Sequence, residues 1–489
     1  MLIASLVLTV AAGLSGCGKK SDTLVWYCIG DTPEDNQLVL DKVNEIIEPE
    51  LGMKLDIQYI DSASFTEKMK LKMASGEAYD LTFTGYVNPY RTAVSMGGLY
   101  DITDLLDNIE MKDGTKVKMS DVIEDYYLEA ATVDGRIYGI PNIQVISNPK
   151  CIEMEKDVAE ECGVDLEGLQ EAALAIKDTQ SSAAYMDKLS QELAKIKAKR
   201  PDMTTVNPFN PALCNIYEDL AGECVIKKDG SSNEVIIKPF TPEYENSVDV
   251  IRSWYEKGYI RNDIASKGNS LDSLEEKRNT AVVSNSWKPG QEIYFKNERG
   301  VDPAYAYFEA PYVSATSPLL TMVSVGANTK HPEEAVKLIY MINSNKELYN
   351  LICWGIEGTH YTKNADGTAT VIPDTGYSDV AKNAWRYGNQ FNGYVMEDQP
   401  ADVWEETRKM NDEAVKSPAL GFVPNTEKIE TELANIENVK SEYKAKTDFG
   451  TAARSEYWDE YIGKLKDAGI EKVRDELQKQ YDEFLKSNK

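Results

Sequence analysis

Strand-like and helix-like segments alternate directly after the apolar N-terminus, and this alternation constrains the fold more than any other feature of the chain. The apolar run Thr23–Ile29 predicts a strand, and Leu55–Ile60 and Tyr79–Thr84 predict two more. Between the first two, Thr32 followed by Pro33 predicts the start of a helix, with Thr32 as its N-cap. Strands separated by helices indicate parallel βαβ units, so an α/β fold is expected.

Polar residues follow the first and third predicted strands. Ligands of open parallel sheets bind beyond the carboxyl ends of the strands. Asp31 and Thr32 follow the first strand, and Gly85, Tyr86 and Asn88 follow the third. We therefore expect these five residues to contribute to a ligand site. The alternatives are that Thr32 only caps the helix and that Tyr86 and Asn88 have ordinary loop roles.

Later segments continue the mixed pattern of strands and helices. The Asp229-Gly230 turn predicts a hairpin that joins residues 224–226 to residues 235–237. Residues 152–200 are expected to be largely helical, and residues 455–485 are expected to end the chain with helices.

The N-terminus carries a candidate export signal. The apolar run from Leu2 to Leu14 is shorter than the roughly 20 residues of a membrane span and is typical of a signal peptide. Leu14-Ser15-Gly16-Cys17 resembles a bacterial lipobox, which predicts a signal peptide over 1–16, lipidation of Cys17 and a tether over 17–22. No Lys or Arg precedes the run, and an ordinary secretory signal with an incidental cysteine is the alternative. Lipidation would hold the protein on the extracellular face of the cell membrane.

Net charge limits the partners of this chain. The 489 residues carry a formal charge of −28, which disfavours contact with nucleic-acid phosphates. Only two histidines occur, so a histidine-rich metal site is excluded, and neither a cofactor nor a metal is predicted. No nucleophile elbow, phosphate-binding loop or dinucleotide loop is present, so no catalytic residue is assigned. Beyond Cys17 there are six cysteines, for which disulfides and buried thiols both remain open: Cys28, Cys151, Cys162, Cys214, Cys224 and Cys353.

Seven stretches together resemble a known protein family. Four are similar to segments of family 1 extracellular solute-binding proteins of ABC importers: Leu24–Asp31, Ala74–Leu81, Asp134–Pro141 and Ala281–Trp287. Three resemble the narrower group of LipO-type lipoproteins: Gly355–Tyr361, Trp385–Phe391 and Lys464–Gln480. A helical insert near 165–195 has no match in that pattern.

The resemblance implies a two-lobe, periplasmic-binding-protein-like (type II) fold with a hinge, a central ligand cleft and C-terminal helices. The N-terminal lobe would comprise 23–141 plus 312–345. The C-terminal lobe would comprise 142–305 plus 350–489. Such a protein is a monomer without enzymatic activity that delivers its ligand to an ABC permease.

The resemblance also adds candidate ligand-binding residues. Trp287 stands in a polar turn that the family places in the cleft, with structural packing as the alternative. Trp385 and Asn389 are one helical turn apart and are expected on one face of a helix. The remaining candidates follow the hinge motif (Asn142 and Gln144), lie in a glycine-flanked loop (Glu357, His360 and Tyr361) or lie near Trp385 (Gln390). For the loop residues, structural hydrogen bonding is the alternative.

Aromatic rings together with carboxylates and amides suit a carbohydrate, and an oligosaccharide is the expected ligand. Two other hypotheses remain open. One is a secreted carbohydrate-active enzyme, which would need two carboxyl groups at a fixed separation. The other is the same receptor fold with a peptide or another polar solute as ligand, for which Arg91 or Arg386 could supply a charged clamp.

Overall fold

The computed structural model describes residues 23–487, which form two α/β lobes with a sheet in each. The strands are β1 (Thr23–Ile29), β2 (Lys54–Ile60), β3 (Leu81–Gly85), β4 (Ile109–Glu110), β5 (Lys116–Val117), β6 (Gly139–Pro141), β7 (Lys150–Glu155), β8 (Thr204–Val206), β9 (Tyr217–Ala221), β10 (Cys224–Lys227), β11 (Ile236–Ile237), β12 (Thr280–Ser286), β13 (Pro303–Tyr307), β14 (Tyr312–Val313), β15 (Thr321–Val325), β16 (Tyr361–Lys363), β17 (Ala369–Val371) and β18 (Val415–Lys416).

The helices surround these sheets and form most of the C-terminal part of the chain. They are α1 (Asn36–Leu51), α2 (Ser62–Ser75), α3 (Tyr90–Ser95), α4 (Asp125–Ala130), α5 (Lys156–Cys162), α6 (Leu166–Leu174), α7 (Thr179–Lys199), α8 (Pro242–Glu256), α9 (Ile264–Lys267), α10 (Leu274–Arg278), α11 (Gln291–Arg299), α12 (Pro332–Ser344), α13 (Lys346–Trp354), α14 (Val403–Glu413), α15 (Glu430–Thr447), α16 (Trp458–Asp467) and α17 (Ile470–Ser487).

The sheet of the first lobe has the order β2-β1-β3-β15-β6. Strand β1 pairs in parallel with β2 and β3, which confirms the predicted βαβ units, whereas β15 runs antiparallel to β3 and β6. The predicted helix start at Thr32 is wrong, because α1 begins at Asn36. The backbone N–H of Asp35 donates to the carbonyl of Gly376 at 3.2 Å, so a distant segment holds the chain just before the helix. Thr32 therefore does not cap it.

The sheet of the second lobe has the order β13-β7-β12-β8. Strand β8 is parallel to β12, and β7 is antiparallel to both of its neighbours. The predicted hairpin is confirmed, because β10 and β11 pair antiparallel with Cys224 opposite Ile237. The predicted helical region is helical from α5 through α7, and its unmatched insert packs Leu169, Leu189 and Leu193 into the second core.

Two large apolar cores show which segments belong to which lobe. The tail helices pack into the second core through residues such as Tyr461 and Leu477. Buried residues from Leu348 to Ala414 pack into the first core instead, where Tyr387 meets Trp26 edge to face with ring centroids 5.7 Å apart. This differs from the expected assignment of 350–489 to the C-terminal lobe. The physical reason is that these apolar side chains are buried against β1 and α1.

Three crossing segments connect the two cores. The chain passes from Ile146 in the first core to Ile152 in the second, and residues 308–319 and 414–419 make the other two connections. Strands β14 and β18 lie side by side in the latter two segments and pair in parallel. The lobes are thus joined by three adjacent lengths of chain, which is the arrangement of a hinge.

The features predicted for processing of the N-terminus fall outside this structure. The predicted signal peptide, Cys17 and the tether lie outside the described residues. Within residues 23–487, none of the helices has the length and apolar character needed to cross a membrane. In the same part of the chain the six cysteines are unpaired, and no group of three or more His, Cys, Asp or Glu side chains is arranged to hold a metal ion.

Candidate ligand-binding cleft

A pocket of about 610 Å³ opens at the carboxyl ends of β1, β2 and β3. Four of the residues predicted from the sequence border it: Asp31, Thr32, Tyr86 and Trp385. The structure therefore brings together strand-end residues and a tryptophan from far along the chain. The other lining residues are Ile29, Gly30, Pro33, Glu34, Ser62, residues 374–380, Asn383 and Arg386.

Two aromatic rings stand at the mouth of this pocket. Tyr86 is 54% exposed, and its ring centroid lies 6.0 Å from that of the half-buried Trp385. The buried Phe83 ring contacts both edge to face, with a centroid separation of 6.1 Å in each case. Gly85 has φ of 147°, and a Cβ at this position would clash with the carbonyl oxygen of Leu320. A glycine is thus needed at the end of β3 for the turn that exposes Tyr86.

The floor of the pocket is fixed by Arg386. Its Nη1 donates to the carbonyl of Ile29 at 2.5 Å, and its Nε donates to the carbonyl of Asn383 at 3.1 Å. A side chain at Gly30, where φ is 130°, would collide with this guanidinium. Arg386 therefore joins the Trp385 segment to the end of β1. Arg91 is similarly committed, because its Nη2 donates to the carbonyls of Thr132 and Gly421.

The rim of the pocket is acidic. Asp31, Glu34 and Asp374 are exposed, and none of them forms an ion pair within the described part of the chain. Asp379 differs, since its carboxylate lies 3.1 Å from Lys382 Nζ. Unpaired carboxylates are strong hydrogen-bond acceptors, and they oppose the approach of an anion.

Several predicted residues use their side chains within the protein. Asn88 is buried and donates to the carbonyl of Phe83 at 3.1 Å. Asn142 is also buried, with Nδ2 donating to the carbonyl of Trp385 at 3.0 Å and Oδ1 accepting from the N–H of Gly388. Gln144 Nε2 donates to the Thr321 hydroxyl. These amides fix the backbone around the pocket and do not border it.

The glycine-flanked loop is a packed structural unit. The His360 ring is buried, its Nδ1 accepts from the N–H of Ile356 at 2.9 Å, and its Nε2 lies 3.2 Å from Asp35 Oδ2. Tyr361 is buried against two aromatic rings. Glu357 is exposed and pairs with Lys363 at 2.9 Å. None of the three borders the pocket.

The predicted common helical face of Trp385 and Asn389 is wrong. The chain leaves the helical conformation at Tyr387, and Gly388 has φ of 56°. Asn389 is buried and accepts from the N–H of Phe391 at 3.0 Å, and the backbone of Gln390 donates to the carbonyl of Ile143. Only Trp385 of this group borders the pocket.

Trp287 lies in an aromatic cluster of the second lobe. It is 4% exposed, and its ring stacks on Tyr305 with centroids 3.6 Å apart and planes at 24°. Tyr307 meets the same indole edge to face at 6.0 Å. Tyr305 is 39% exposed and is therefore the outward ring of the cluster. The sequence contained a signal for this pair, because Tyr305 and Tyr307 alternate in a strand.

The described geometry defines a class of protein: two α/β lobes, three crossing segments, and a pocket with aromatic rings at strand ends. The family model of the bacterial extracellular solute-binding protein matches residues 45–355. The chain belongs to this family. A domain of unknown function, DUF3502, matches residues 418–486, which include the tail helices.

Individual relatives are similar over nearly the whole chain. A carbohydrate ABC transporter substrate-binding protein of Streptococcus pneumoniae is 28% identical, over 99% of this chain and 97% of its own. The crystal structure of the N-glycan transport solute binding protein NgtS from S. pneumoniae is 25% identical, covers 96% of this chain and 100% of its own, and has a TM-score of 0.75. Its complex with Man5GlcNAc, which covers 96% and 99%, has a TM-score of 0.59. An extracellular solute-binding protein from Bifidobacterium longum subsp. infantis, 16% identical over 94% of this chain and 98% of its own, shares the fold with a TM-score of 0.58.

Proposed function

We propose that this chain captures an oligosaccharide between its lobes and delivers it to an ABC permease. The observation that carries the proposal is the pairing of Tyr86 with Trp385 beside unpaired carboxylates at the strand ends. Aromatic faces pack against the C–H faces of sugar rings, and carboxylates accept hydrogen bonds from sugar hydroxyls. The names of the streptococcal relatives support a carbohydrate ligand.

The size of the pocket, together with a second aromatic surface on the other lobe, supports a ligand longer than one sugar. Its volume of about 610 Å³ falls in the range of small-molecule sites, about 300–1,000 Å³. The aromatic cluster of Trp287 and Tyr305 belongs to the opposite lobe, at the carboxyl end of β12 and on β13. Closure of the lobes about the crossing segments would add this second surface to the ligand.

The arginines of the first lobe argue against a peptide carboxylate as the recognised group. Both Arg91 and Arg386 donate to backbone carbonyls, so neither presents a free fork to a ligand. The proposed role is binding without chemical conversion of the sugar. The protein acts as a monomer, and Cys17 carries the lipid that holds it at the extracellular face of the membrane.

Calorimetry and thermal shift with purified protein test the proposal. Man5GlcNAc and Man1GlcNAc, plant and bacterial oligosaccharides, polyols and peptides form the panel. A sugar that binds raises the melting temperature, and at one hundred times its Kd it adds about 2.7 kcal/mol to the free energy of unfolding. Response to peptides alone would overturn the carbohydrate assignment, and release of sugar products would support an enzyme instead. Replacement of Cys17 by Ala should release the protein from membranes without changing sugar affinity.

A further inference from the structure

Glu218 is a buried carboxylate of the second lobe that contacts two of the three crossing segments. It lies on β9 and is 5% exposed. Its oxygens accept hydrogen bonds from the Tyr312 hydroxyl at 2.7 Å, the Ala315 N–H at 2.6 Å and the Ser417 hydroxyl at 2.5 Å. Tyr312 and Ala315 belong to the segment 308–319, and Ser417 belongs to the segment 414–419. One side chain thus fastens both segments to the second lobe.

The contacts around Glu218 are those of a rigid joint. Tyr312 pairs with Val415 in the parallel β14–β18 ladder, so the two segments are also bonded to each other. Lys228 lies over the Tyr312 ring with Nζ 4.3 Å from its centroid, and it pairs with Glu309 at 2.6 Å. Hydrogen bonds to an ionised acceptor are shorter and stronger than neutral ones. Glu218 is therefore the centre of the joint on the side of the second lobe.

A second buried side chain connects the remaining crossing segment to this joint. Asn411 is 1% exposed, and its Oδ1 accepts from the Ile146 N–H at 3.1 Å and the Ser147 hydroxyl at 2.9 Å. Its Nδ2 donates to the carbonyl of Gln144 at 2.7 Å. Asn411 lies in α14, which leads directly into β18. The first crossing segment is therefore tied to the third, which Glu218 holds.

We propose that Glu218 is a positioning residue for lobe closure. It makes the crossing segments bend together from one fixed point on the second lobe. Without this anchor the lobes of the ligand-free protein would sample a wider range of separations. A ligand would then have to order them as it binds, which lowers its affinity. The part that concerns affinity rests on the proposed sugar-binding function.

The variant E218Q tests the anchor without removing its volume. Gln keeps one acceptor oxygen but replaces the charged acceptor with a neutral amide. Y312F removes one donor from the opposite side of the same contact. The matched control is E243Q: Glu243 is 6% exposed in the same lobe and accepts from the hydroxyls of Thr179 and Tyr217, which lie outside the crossing segments.

Distance measurements between the lobes provide the readout. Leu71 on α2 is 69% exposed and Leu274 on α10 is 54% exposed, so L71C and L274C place one spin label on each lobe. Cys17 and the partly exposed Cys214 are replaced by Ser in every protein measured, so that they do not take up label. We expect E218Q, and to a smaller degree Y312F, to broaden the distance distribution of the ligand-free full-length protein. We expect E218Q to weaken the binding of Man5GlcNAc about tenfold, the effect of losing one charge-assisted hydrogen bond. E243Q should leave both quantities unchanged.

Three outcomes would overturn the proposal. The first is an unchanged distance distribution in E218Q, or in Y312F if E218Q does not fold. The second is an equal broadening in E243Q, which would show a general effect of second-lobe destabilisation. The third is normal affinity of E218Q together with a broadened distribution, which would show that the anchor limits lobe separation but does not affect ligand binding. If the wild-type protein binds no sugar, the proposed function fails, and the ligand-free distances still decide the role of Glu218.

Discussion

The side-chain amide of Asn142 donates a hydrogen bond to the carbonyl oxygen of Trp385 at 3.0 Å. Its Oδ1 accepts from the N–H of Gly388 at 2.9 Å, so both ends of the amide are bonded to the segment that carries the tryptophan. Asn142 directly follows β6. Strand β6, at the edge of the first sheet, thereby positions the segment that carries an aromatic ring of the pocket.

We expect N142A to weaken sugar binding through Trp385. The substitution leaves the buried N–H of Gly388 without its acceptor, which costs about 1–3 kcal/mol of unfolding free energy. The loosened segment would no longer hold the indole in place, and affinity should fall about tenfold. Calorimetry and thermal unfolding measure the two effects separately.

Asn350 supplies the control for that experiment. It is equally buried in the first lobe and makes three backbone hydrogen bonds, to the carbonyls of Lys346 and Asn392 and from the N–H of Tyr394. N350A should destabilise the protein to a similar degree and leave sugar affinity unchanged. A similar loss of affinity in both variants would contradict a specific role for Asn142.

The aromatic pair at the mouth of the pocket should contribute directly to binding. Tyr86 is 54% exposed, so Y86A should change the melting temperature little. Aromatic contacts contribute about 0.5–1.5 kcal/mol beyond buried area, so affinity should fall about three- to tenfold, and Y86F should bind almost normally. Isothermal calorimetry with Man5GlcNAc gives the comparison. Y100A, at a half-exposed tyrosine that does not line the pocket, is the control. Unchanged affinity in Y86A would show that the aromatic pair does not contribute to ligand binding.

Much of the first sheet could be predicted from local sequence. Strand β1 has the bounds that its apolar run predicts, and Gly52 and Gly76 end α1 and α2 with left-handed backbone. These signals are contained within a few residues, so they survive without tertiary information. The same local pattern predicts that Asp31 and Tyr86 lie at strand ends, and both residues border the pocket there.

The rest depends on contacts between distant parts of the chain. The packing of Tyr387 on Trp26 helps to place residues 348–414 in the first lobe, and no local pattern contains that information. The contact between the Arg386 guanidinium and Gly30 also joins distant parts of the chain, so local sequence does not predict it. The sequence predicts ligand contact for amides such as Asn142 because it shows a polar residue and does not show the hydrogen-bond partner.

The acidic rim should make the site selective for uncharged sugars. Asp31, Glu34 and Asp374 face a ligand without cationic partners among the described residues. We expect an oligosaccharide that bears a uronic acid to bind more weakly than its neutral counterpart, with the difference shrinking as salt screens the charges.

Neutralising substitutions test the origin of this selectivity. D31N combined with E34Q should raise the affinity for the acidic sugar severalfold at low salt, because two repulsive charges are removed. E437Q, on an exposed carboxylate of the tail helix α15, removes a charge far from the pocket and is the control. Equal affinities of the wild-type protein for neutral and acidic sugars would contradict the prediction.

We expect Glu153 to lower the stability of the second lobe at neutral pH. The side chain is 2% exposed on β7, one oxygen accepts from Asn285 Nδ2 at 3.1 Å, and the other has no hydrogen-bond partner within residues 23–487. Burial raises the pKa of this carboxyl group above its usual value. The folded protein therefore binds the proton more readily than the unfolded chain, and the energetic cost is fully present above the raised pKa.

We expect E153Q to be more stable than the wild-type protein near neutral pH, by about 1 kcal/mol, since it removes a buried unsatisfied charge. The advantage should shrink as the pH falls through the raised pKa toward about 4.3, the ordinary value for Glu. Urea unfolding of both proteins across that pH range measures the difference between their unfolding free energies. The contributions of the other titrating groups cancel in this difference. Glu192 is the opposite case, because it is buried but paired with Lys195 at 2.7 Å, and E192Q should destabilise the lobe. The Asn285 hydrogen bond and the positive charge of Arg299 both lower the pKa of Glu153 and so oppose the effect of burial. A destabilised E153Q at neutral pH would show that these two interactions outweigh burial.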